Sequence, residues 1–184
     1  DKGMEKVAAY IKKGGVAVVP TDTLYGIVAD AHNPAAVEEV YRLKKRNLGK
    51  ACIVLIEHIS QIEAFGCASN ELVDKLQLLW PGPVTVVIPV ADSGQAVHIH
   101  RGLTSIAFRM PEKNTYIAEL LQKTGPLIAP SANTEGESPA QNIAEAKKFF
   151  GGHVMYHDAG LIQNTKPSTI ISFNEYGEKT IIRP

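Results

Sequence analysis

The stretch Gly14-Gly15-Val16-Ala17-Val18-Val19-Pro20-Thr21-Asp22-Thr23-Leu24-Tyr25-Gly26 decides the fold class. Two glycines end a helical pattern in which Met4, Val7, Ala8 and Ile11 recur at i, i+3, i+4 and i+7. A β-branched strand is predicted over 16–20, and a polar cluster of threonine and aspartate follows it. Helix, strand, then polar loop at the strand's end is the unit of an α/β layered domain.

The same unit recurs outward along the chain. Residues 21–33 read as a long loop, and Asn33-Pro34 as a helix start with a cap before proline. Val37, Val40 and Tyr41 give that helix its apolar stripe, and it runs out in Lys44-Lys45-Arg46. A strand apolar on both faces is predicted over 52–56. Ser60-Gln61-Ile62-Glu63 reads as a capping box. Ser69 caps a longer helix carrying Leu72, Leu76 and Leu79, which Trp80-Pro81-Gly82-Pro83 stops. Strands over 84–90 and 105–110 flank a loop rich in Gly and His over 91–103. Ile117, Leu120 and Leu121 mark a helix, 127–129 a buried strand, and 130–141 a polar loop. A helix capped by Asn142, with Glu145 three positions on, precedes strands over 154–157, 169–172 and 179–182. Two successive strand pairs lack a helix between them, so the sheet is expected to be mixed. No repeat or linker interrupts the chain, and a single domain over 1–184 is expected.

Charge excludes several classes. Nineteen Lys and Arg balance nineteen Asp and Glu, and neither half of the 184 residues carries an excess of more than one charge. Binding to nucleic acid or membrane by bulk charge is therefore disfavoured. The longest unbroken apolar run, 51–56, falls far short of the roughly 20 residues that span a bilayer. The first residues also lack a signal peptide's apolar core. Of two cysteines, Cys52 lies in that apolar run, where a reduced buried thiol is expected, and the compartment reads as cytoplasmic. No CxxC, HExxH or EF-hand spacing occurs, and no protein-built metal site is expected. Walker, GxGxxG and GxSxG motifs are also absent.

Candidate chemistry sits in the loops. Polar clusters at 20–26, 130–133, 158–160 and 167–169 flank strand ends, where ligands bind in open α/β sheets. Lys44, Lys45, Arg46 and Lys50 place four cations within seven residues with no acid among them. Such a turn either complements a helix C-terminus or clamps an anion. Arg109, inside the apolar strand pattern Ile106-Ala107-Phe108-Arg109-Met110, needs a carboxylate or phosphate partner, internal or bound. His98 and His100 read as surface residues without a third ligand, and Trp80 as a packing residue.

The ordered set Pro20-Thr21-Asp22-Thr23-x-Tyr25-Gly26, Lys44-x-Arg46, Lys50, Trp80-Pro81-Gly82-Pro83-x-Thr85, Arg109-x-Pro111, Ser131-Ala132-Asn133, Asp158-x-Gly160, Pro167-Ser168-Thr169 and Arg183-Pro184 resembles the YrdC/Sua5 family, the threonylcarbamoyl-AMP synthases, over nearly the whole chain. The resemblance implies a single α/β domain with a twisted mixed sheet and a concave basic cavity. It implies a nucleotidyltransferase that converts L-threonine, bicarbonate and ATP to threonylcarbamoyl-AMP and pyrophosphate for the tRNA modification t6A. ATP is then a substrate, Mg2+ travels on its phosphates, and a downstream TsaD/Kae1-like transferase complex is the partner. By position, Arg46, Lys50, Ser105, Ser131, Asn133 and Arg183 match ATP-binding residues, and Lys44 joins Arg46 and Lys50 as a catalytic cation. Thr23, Arg109, Ser168 and the backbone at Ala129 match threonine-binding positions, with Tyr25 lining the cavity.

The chain departs from that pattern in places. Asn47 and Ala51 stand where the family usually has proline, which implies a more flexible basic turn. Glu135 replaces a usual serine and brings a charge near the phosphate pocket. Leu55 stands where many members carry histidine. The end at Pro184 resembles the short single-domain branch. A reading of another class is an RNA-binding module, with tRNA or double-stranded RNA gripped by the basic turn. Balanced charge and the lack of an aromatic-interleaved basic patch weaken it.

Overall fold

In the computed structural model, which describes residues 1–67, 69–163 and 166–184, nine strands form one sheet. In chain order they are β1 (Ala17–Pro20), β2 (Tyr25–Asp30), β3 (Val54–Leu55), β4 (Val84–Pro89), β5 (Ser105–Arg109), β6 (Leu127–Ile128), β7 (Met155–Tyr156), β8 (Thr169–Phe173) and β9 (Lys179–Arg183). Their spatial order is β7-β1-β2-β6-β3-β5-β4-β8-β9. The pairs β1/β7, β3/β5 and β4/β8 are parallel, and β1/β2, β2/β6, β3/β6, β4/β5 and β8/β9 are antiparallel. The expected mixed sheet is present.

Among the described residues six α-helices accompany it: α1 (Lys2–Lys12), α2 (Pro34–Lys44), α3 (Val73–Leu79), α4 (Val97–His100), α5 (Tyr116–Thr124) and α6 (Ile143–Phe150). The apolar stripe of α1 and that of α5 pack against Ala17, Val19, Val28, Leu55 and Leu127 on one face. On the other face α2, α3 and α6 bury Val37, Val40, Tyr41, Leu76 and Phe150 against Val18, Ile27, Val54, Val86 and Phe108. Two caps follow the sequence: Asn33 Oδ1 accepts from Ala36 N, and Asn142 Oδ1 from Glu145 N, whereas Ser69 makes no capping hydrogen bond and a 3₁₀ turn, Asn70–Leu72, precedes α3. Along β5, β4 and β8 the side chains alternate. Ile106, Phe108, Val86, Ile88, Ile171 and Phe173 point into the large core. Ala107, Val87, Ile170 and Ser172 face the other way and are only half-buried. One face of this half of the sheet is therefore left open, and α1 and α5 stop short of it.

Four further expectations are corrected. Residues 21–33 are not one loop but a hairpin turn followed by β2, which pairs with β1 from Pro20↔Tyr25 to Ala17↔Val28. The run Tyr25-Gly26-Ile27-Val28-Ala29-Asp30 is buried on both faces, so it lacks the alternation that marks a half-exposed strand. Ser60 does not cap its segment. The 3₁₀ helix Ile59–Phe65 has His58 at its N-cap, and Gln61 Oε1 accepts from His58 N at 3.1 Å and from Glu57 N at 2.8 Å. Residues 91–103 contain α4, and His98 and His100 are not free surface residues. Their Nε2 atoms meet the carbonyls of Ala31 at 2.8 Å and Ser93 at 2.9 Å, and His100 is buried. The strand over 52–56 is ladder-paired only at Val54–Leu55. Trp80 packs as expected, with Nε1 donating to Val84 O at 2.7 Å.

Phe108 is fully buried at the middle of the sheet, edge-on to Phe65. Phe108→Ala is expected to lower stability by about 3–5 kcal/mol in urea denaturation; a loss below 1 kcal/mol would contradict this placement of the core.

Candidate active site

The turn between β1 and β2 is built by Thr21. Its Oγ1 accepts from Thr23 N and Leu24 N, both at 3.2 Å, and donates to Leu24 O. A short hydroxyl side chain thus supplies the turn's hydrogen bonds from within. Asp22, at its tip, reaches Arg109 at the C-terminal end of β5. Arg109 Nε donates to Asp22 Oδ2 at 2.8 Å and Nη2 to Oδ1 at 2.9 Å, with the two side chains only 6% and 11% exposed. This is a bidentate, largely desolvated pair. The carboxylate that Arg109 needed is internal, and composition alone gives no reason to choose Asp22 over eighteen other acids. Its place in a polar cluster at a strand end was the available signal.

From Arg109 the polar contacts continue across the open half of the sheet. Arg109 Nη1 donates to Thr85 Oγ1 at 3.3 Å, and Thr85 Oγ1 and Ser168 Oγ lie 2.9 Å apart. Arg183 Nε and Nη2 donate to Ser168 O at 3.0 and 2.8 Å. Asp22, Arg109, Thr85, Ser168 and Arg183 thus form one chain of contacts from the hairpin turn to β9.

Beside Arg109 lies a cavity of about 260 Å³ lined by Thr21, Thr23, Tyr25, Gly26, Arg46, Cys52, Ile53, Arg109, Ala129, Pro130 and Ser131. The volume is below the roughly 300–1,000 Å³ of a pocket for a drug-sized ligand, and suits a small molecule such as an amino acid. A larger cleft of about 750 Å³, bounded by Met110, Pro111 and α5, holds none of the predicted site residues. Gly26 makes the smaller cavity's wall possible. A Cβ there would stand 2.9 Å from Thr21 Cγ2 and 3.4 Å from Pro130 O. Without it the segment 130–132 adds to β2, with Ile27 N donating to Pro130 O and Ala132 N to Tyr25 O, both at 2.9 Å.

Of the predicted residues, Thr23, Tyr25, Arg46, Arg109, Ala129 and Ser131 line this cavity together. Ser168 and Arg183 join it through Thr85. The Tyr25 hydroxyl donates to Gly160 O at 2.7 Å and accepts from Ala159 N at 2.8 Å, tying down that loop. Asn133 spends its amide inside its own loop, donating to Thr134 O and Glu137 O while Oδ1 accepts from Ser131 Oγ. Ser105 stands apart, four residues from Arg109 along β5, or roughly 13 Å on the same face.

The four cations of the basic turn point in different directions. Lys44 is buried and donates to Ser131 O and Asn133 O, bolting the 131–133 loop to the end of α2. Lys45 is exposed at the left-handed cap. Arg46 faces the cavity. Its Nη2 donates to Ala51 O at 2.7 Å, while its buried Nε has no partner. Lys50 pairs with Glu135 at 2.8 Å. In place of prolines, contacts brace this turn: Asn47 N donates to Glu135 Oε2, Tyr41 Oη to Lys50 O, and Arg101 Nε to Leu48 O. Arg101 also stacks 3.9 Å over the Tyr41 ring.

Burial, with Arg46 next in effect, pushes the Lys44 ammonium down from 10.5 to about 8. An unfolded chain binds that proton more tightly, so Lys44's contribution to stability improves as pH rises from 8 toward 10.5. Burial raises the Cys52 thiol, leaving it an inert wall of the cavity. The arrangement offers no nucleophile–base pair. It offers a buried guanidinium, the Arg46 side chain and hydroxyls around a small cavity, a set whose chemistry suits an anionic ligand.

Comparison with known proteins identifies the family. The family model for the Sua5/YciO/YrdC domain, described as telomere recombination, matches residues 9–184. The threonylcarbamoyl-AMP synthase of Thiobacillus denitrificans is 32% identical over 164 residues, covering 89% of this chain and 87% of that protein. The threonylcarbamoyl-AMP synthase of Bacillus subtilis is 33% identical over 94% of this chain and 50% of its own length. The crystal structure of P. abyssi Sua5 complexed with L-threonine superposes with a TM-score of 0.85 at 28% identity, over 98% of this chain and 53% of that one. The chain thus spans about half the length of the last two. It belongs to the Sua5/YciO/YrdC family.

Asp22→Ala leaves the Arg109 guanidinium buried and unpaired, and is expected to cost about 3–5 kcal/mol. In the double variant Asp22→Ala/Arg109→Met, chemical denaturation should recover most of that loss. Additive losses would show that the two side chains do not act as a pair.

Proposed function

We propose that this chain is an L-threonylcarbamoyladenylate synthase, converting L-threonine, bicarbonate and ATP to threonylcarbamoyl-AMP and pyrophosphate. The observation that carries the reading is the juxtaposition, in one small cavity, of Thr23, Ser131, Arg109 and Arg46, two hydroxyl side chains and two guanidinium side chains. Threonine fits the cavity's volume, with its carboxylate toward Arg109 and its polar groups toward Thr23 and, through Thr85, Ser168. The nucleotide then lies outward, its phosphates toward Arg46, Lys50 and Ser131. Arg183 and Ser105 flank it on the open sheet face.

The chemistry needs positioning more than a protein nucleophile. The threonine amine and bicarbonate give a carbamate and water. A carbamate oxygen attacks the α-phosphorus of ATP, the new O–P bond forms, the bond to the β-phosphate oxygen breaks and pyrophosphate leaves. Both reactants are anions, so Arg46, Lys50 and Lys44 serve by offsetting charge and holding geometry. Among the described residues no group of three His, Cys, Asp or Glu side chains is placed to hold a metal ion, and Asp22 is committed to Arg109. In this reading Mg2+ enters on ATP. The product passes to a t6A transferase complex of the TsaD/Kae1 kind, and tRNA contacts belong to that step. The whole chain acts as one catalytic unit. Two buried free thiols suit a cytoplasmic setting, and no helix among the described residues is long and apolar enough to cross a membrane.

Pyrophosphate release that requires both threonine and bicarbonate tests the reading; release that ignores threonine would sink it. Arg46→Ala should lower kcat about 100- to 1,000-fold while leaving the melting temperature near that of the parent. A rate within threefold of the parent would remove Arg46 from the site. If charge on Lys44 supports ATP, kcat/KM for ATP should fall above pH about 8, where the free enzyme loses that proton. A profile flat to pH 9.5 would argue that Lys44 only bolts the loop.

A further inference from the structure

We propose that Glu135 is an internal anion occupying the place of a ligand phosphate on the basic turn, and that a polyphosphate binds this chain by displacing it. The inference rests on the nucleotide reading of the cavity and adds a residue-specific control of its affinity.

Glu135 is 85 residues from Lys50 and 88 from Asn47 in sequence, yet its two oxygens take one donor from each. Oε1 accepts from Lys50 Nζ and Oε2 from Asn47 N, both at 2.8 Å. One ammonium and one backbone N–H converging on adjacent oxygens is a donor set that phosphate oxygens also take. The Lys50 hydrogen bond, then that from Asn47 N–H, holds the Glu135 carboxyl below its ordinary range, so it is ionised at neutral pH. Its backbone is held separately, since Glu135 N donates to Lys44 O at 2.8 Å. The carboxylate can therefore leave without unpicking the loop from α2.

Two further observations favour displacement over a permanent brace. The Lys50 and Glu135 side chains are 59% and 32% exposed, so the carboxylate exchanges its partners for water readily. Gly136, the next residue, has φ of +89° and nothing within 4 Å of where a Cβ would sit, giving the loop conformational freedom beside the carboxylate. Arg46, on the same turn, keeps a buried Nε without a partner. The turn thus holds a carboxylate at its outer donors and lacks an acceptor at an inner one. A chain of several phosphates matches both places, and a single carboxylate matches one.

The two roles predict opposite signs. If Glu135 competes with phosphate, Glu135→Gln and Glu135→Ala should bind inorganic tripolyphosphate about fivefold more tightly in calorimetric titration, with adenosine binding unchanged. In turnover, KM for ATP should fall by a similar factor at constant kcat. If Glu135 only braces the turn, both variants bind tripolyphosphate equally or more weakly, and the proposal is overturned. Tightening that extends equally to adenosine, or absence of tripolyphosphate binding in parent and variants alike, also overturns it. The titrations need neither threonine nor turnover. Tightened tripolyphosphate binding without threonine-dependent pyrophosphate release would reject the synthase reading and keep the role of Glu135; synthase activity with unchanged binding would do the reverse.

Discussion

A guanidinium buried at the end of a central strand must meet a counter-charge, and much of this site's geometry follows from how Arg109 meets it. An unpaired buried charge costs several kcal/mol, so the hairpin between β1 and β2 is drawn over until Asp22 caps β5. That places Thr23 and Tyr25 in one cavity wall with Ala129 and Ser131. Arg109 Nη1 reaches Thr85, and through Ser168 the constraint extends to Arg183 on β9. The turn, two inner strands and the edge hairpin of the sheet are thereby referenced to one side chain. A small movement of Arg109 would be felt by residues from both ends of the chain.

The elements most legible in sequence were those with one apolar face and a chemical stop. α1, α2, α5 and α6 show their stripes, caps and glycine or proline boundaries in the residues themselves. The β1/β2 hairpin was hidden because β2 is buried on both sides, and because its turn is made by Thr21, which also reads as ordinary loop polarity. α4 was hidden for another reason: four residues cannot display a helical period, and its support comes from tertiary bonds through His98 and His100. Periodicity reports a face, and neither element has one.

For the site, residue types were legible and partners were not. The cation run at 44–50 was visible, but spacing cannot say that Lys44 turns inward to two carbonyls while Arg46 turns to the cavity. Left-handed backbone at Lys45 separates them, and only the three-dimensional cap reveals it. Arg109's demand for a carboxylate or phosphate was visible, but the carboxylate that meets it lies 87 residues away. Ser105 shares a face with Arg109 by strand alternation, and the register sets it about 13 Å away, where an extended ligand reaches both and a small one reaches only Arg109.

The zero net charge of the chain acquires a local meaning. Around the cavity the cations already have work: Lys44 on carbonyls, Lys50 on Glu135, Arg109 on Asp22, Arg183 on Ser168. A bare cluster of this many positive charges would repel itself and attract any polyanion, long nucleic acids included. Internal acceptors remove both problems, because a ligand must offer better acceptors than those it replaces. Discrimination then lies in a difference of partners and not in total attraction. A carboxylate pair that is deeply buried, such as Arg109 with Asp22, is costly to exchange and fixes shape. A pair that is half in water, such as Lys50 with Glu135, exchanges readily and, in the role proposed for it, sets affinity. The same chemistry at two depths thus has two different costs of exchange, and depth, which sequence alone does not record, decides which.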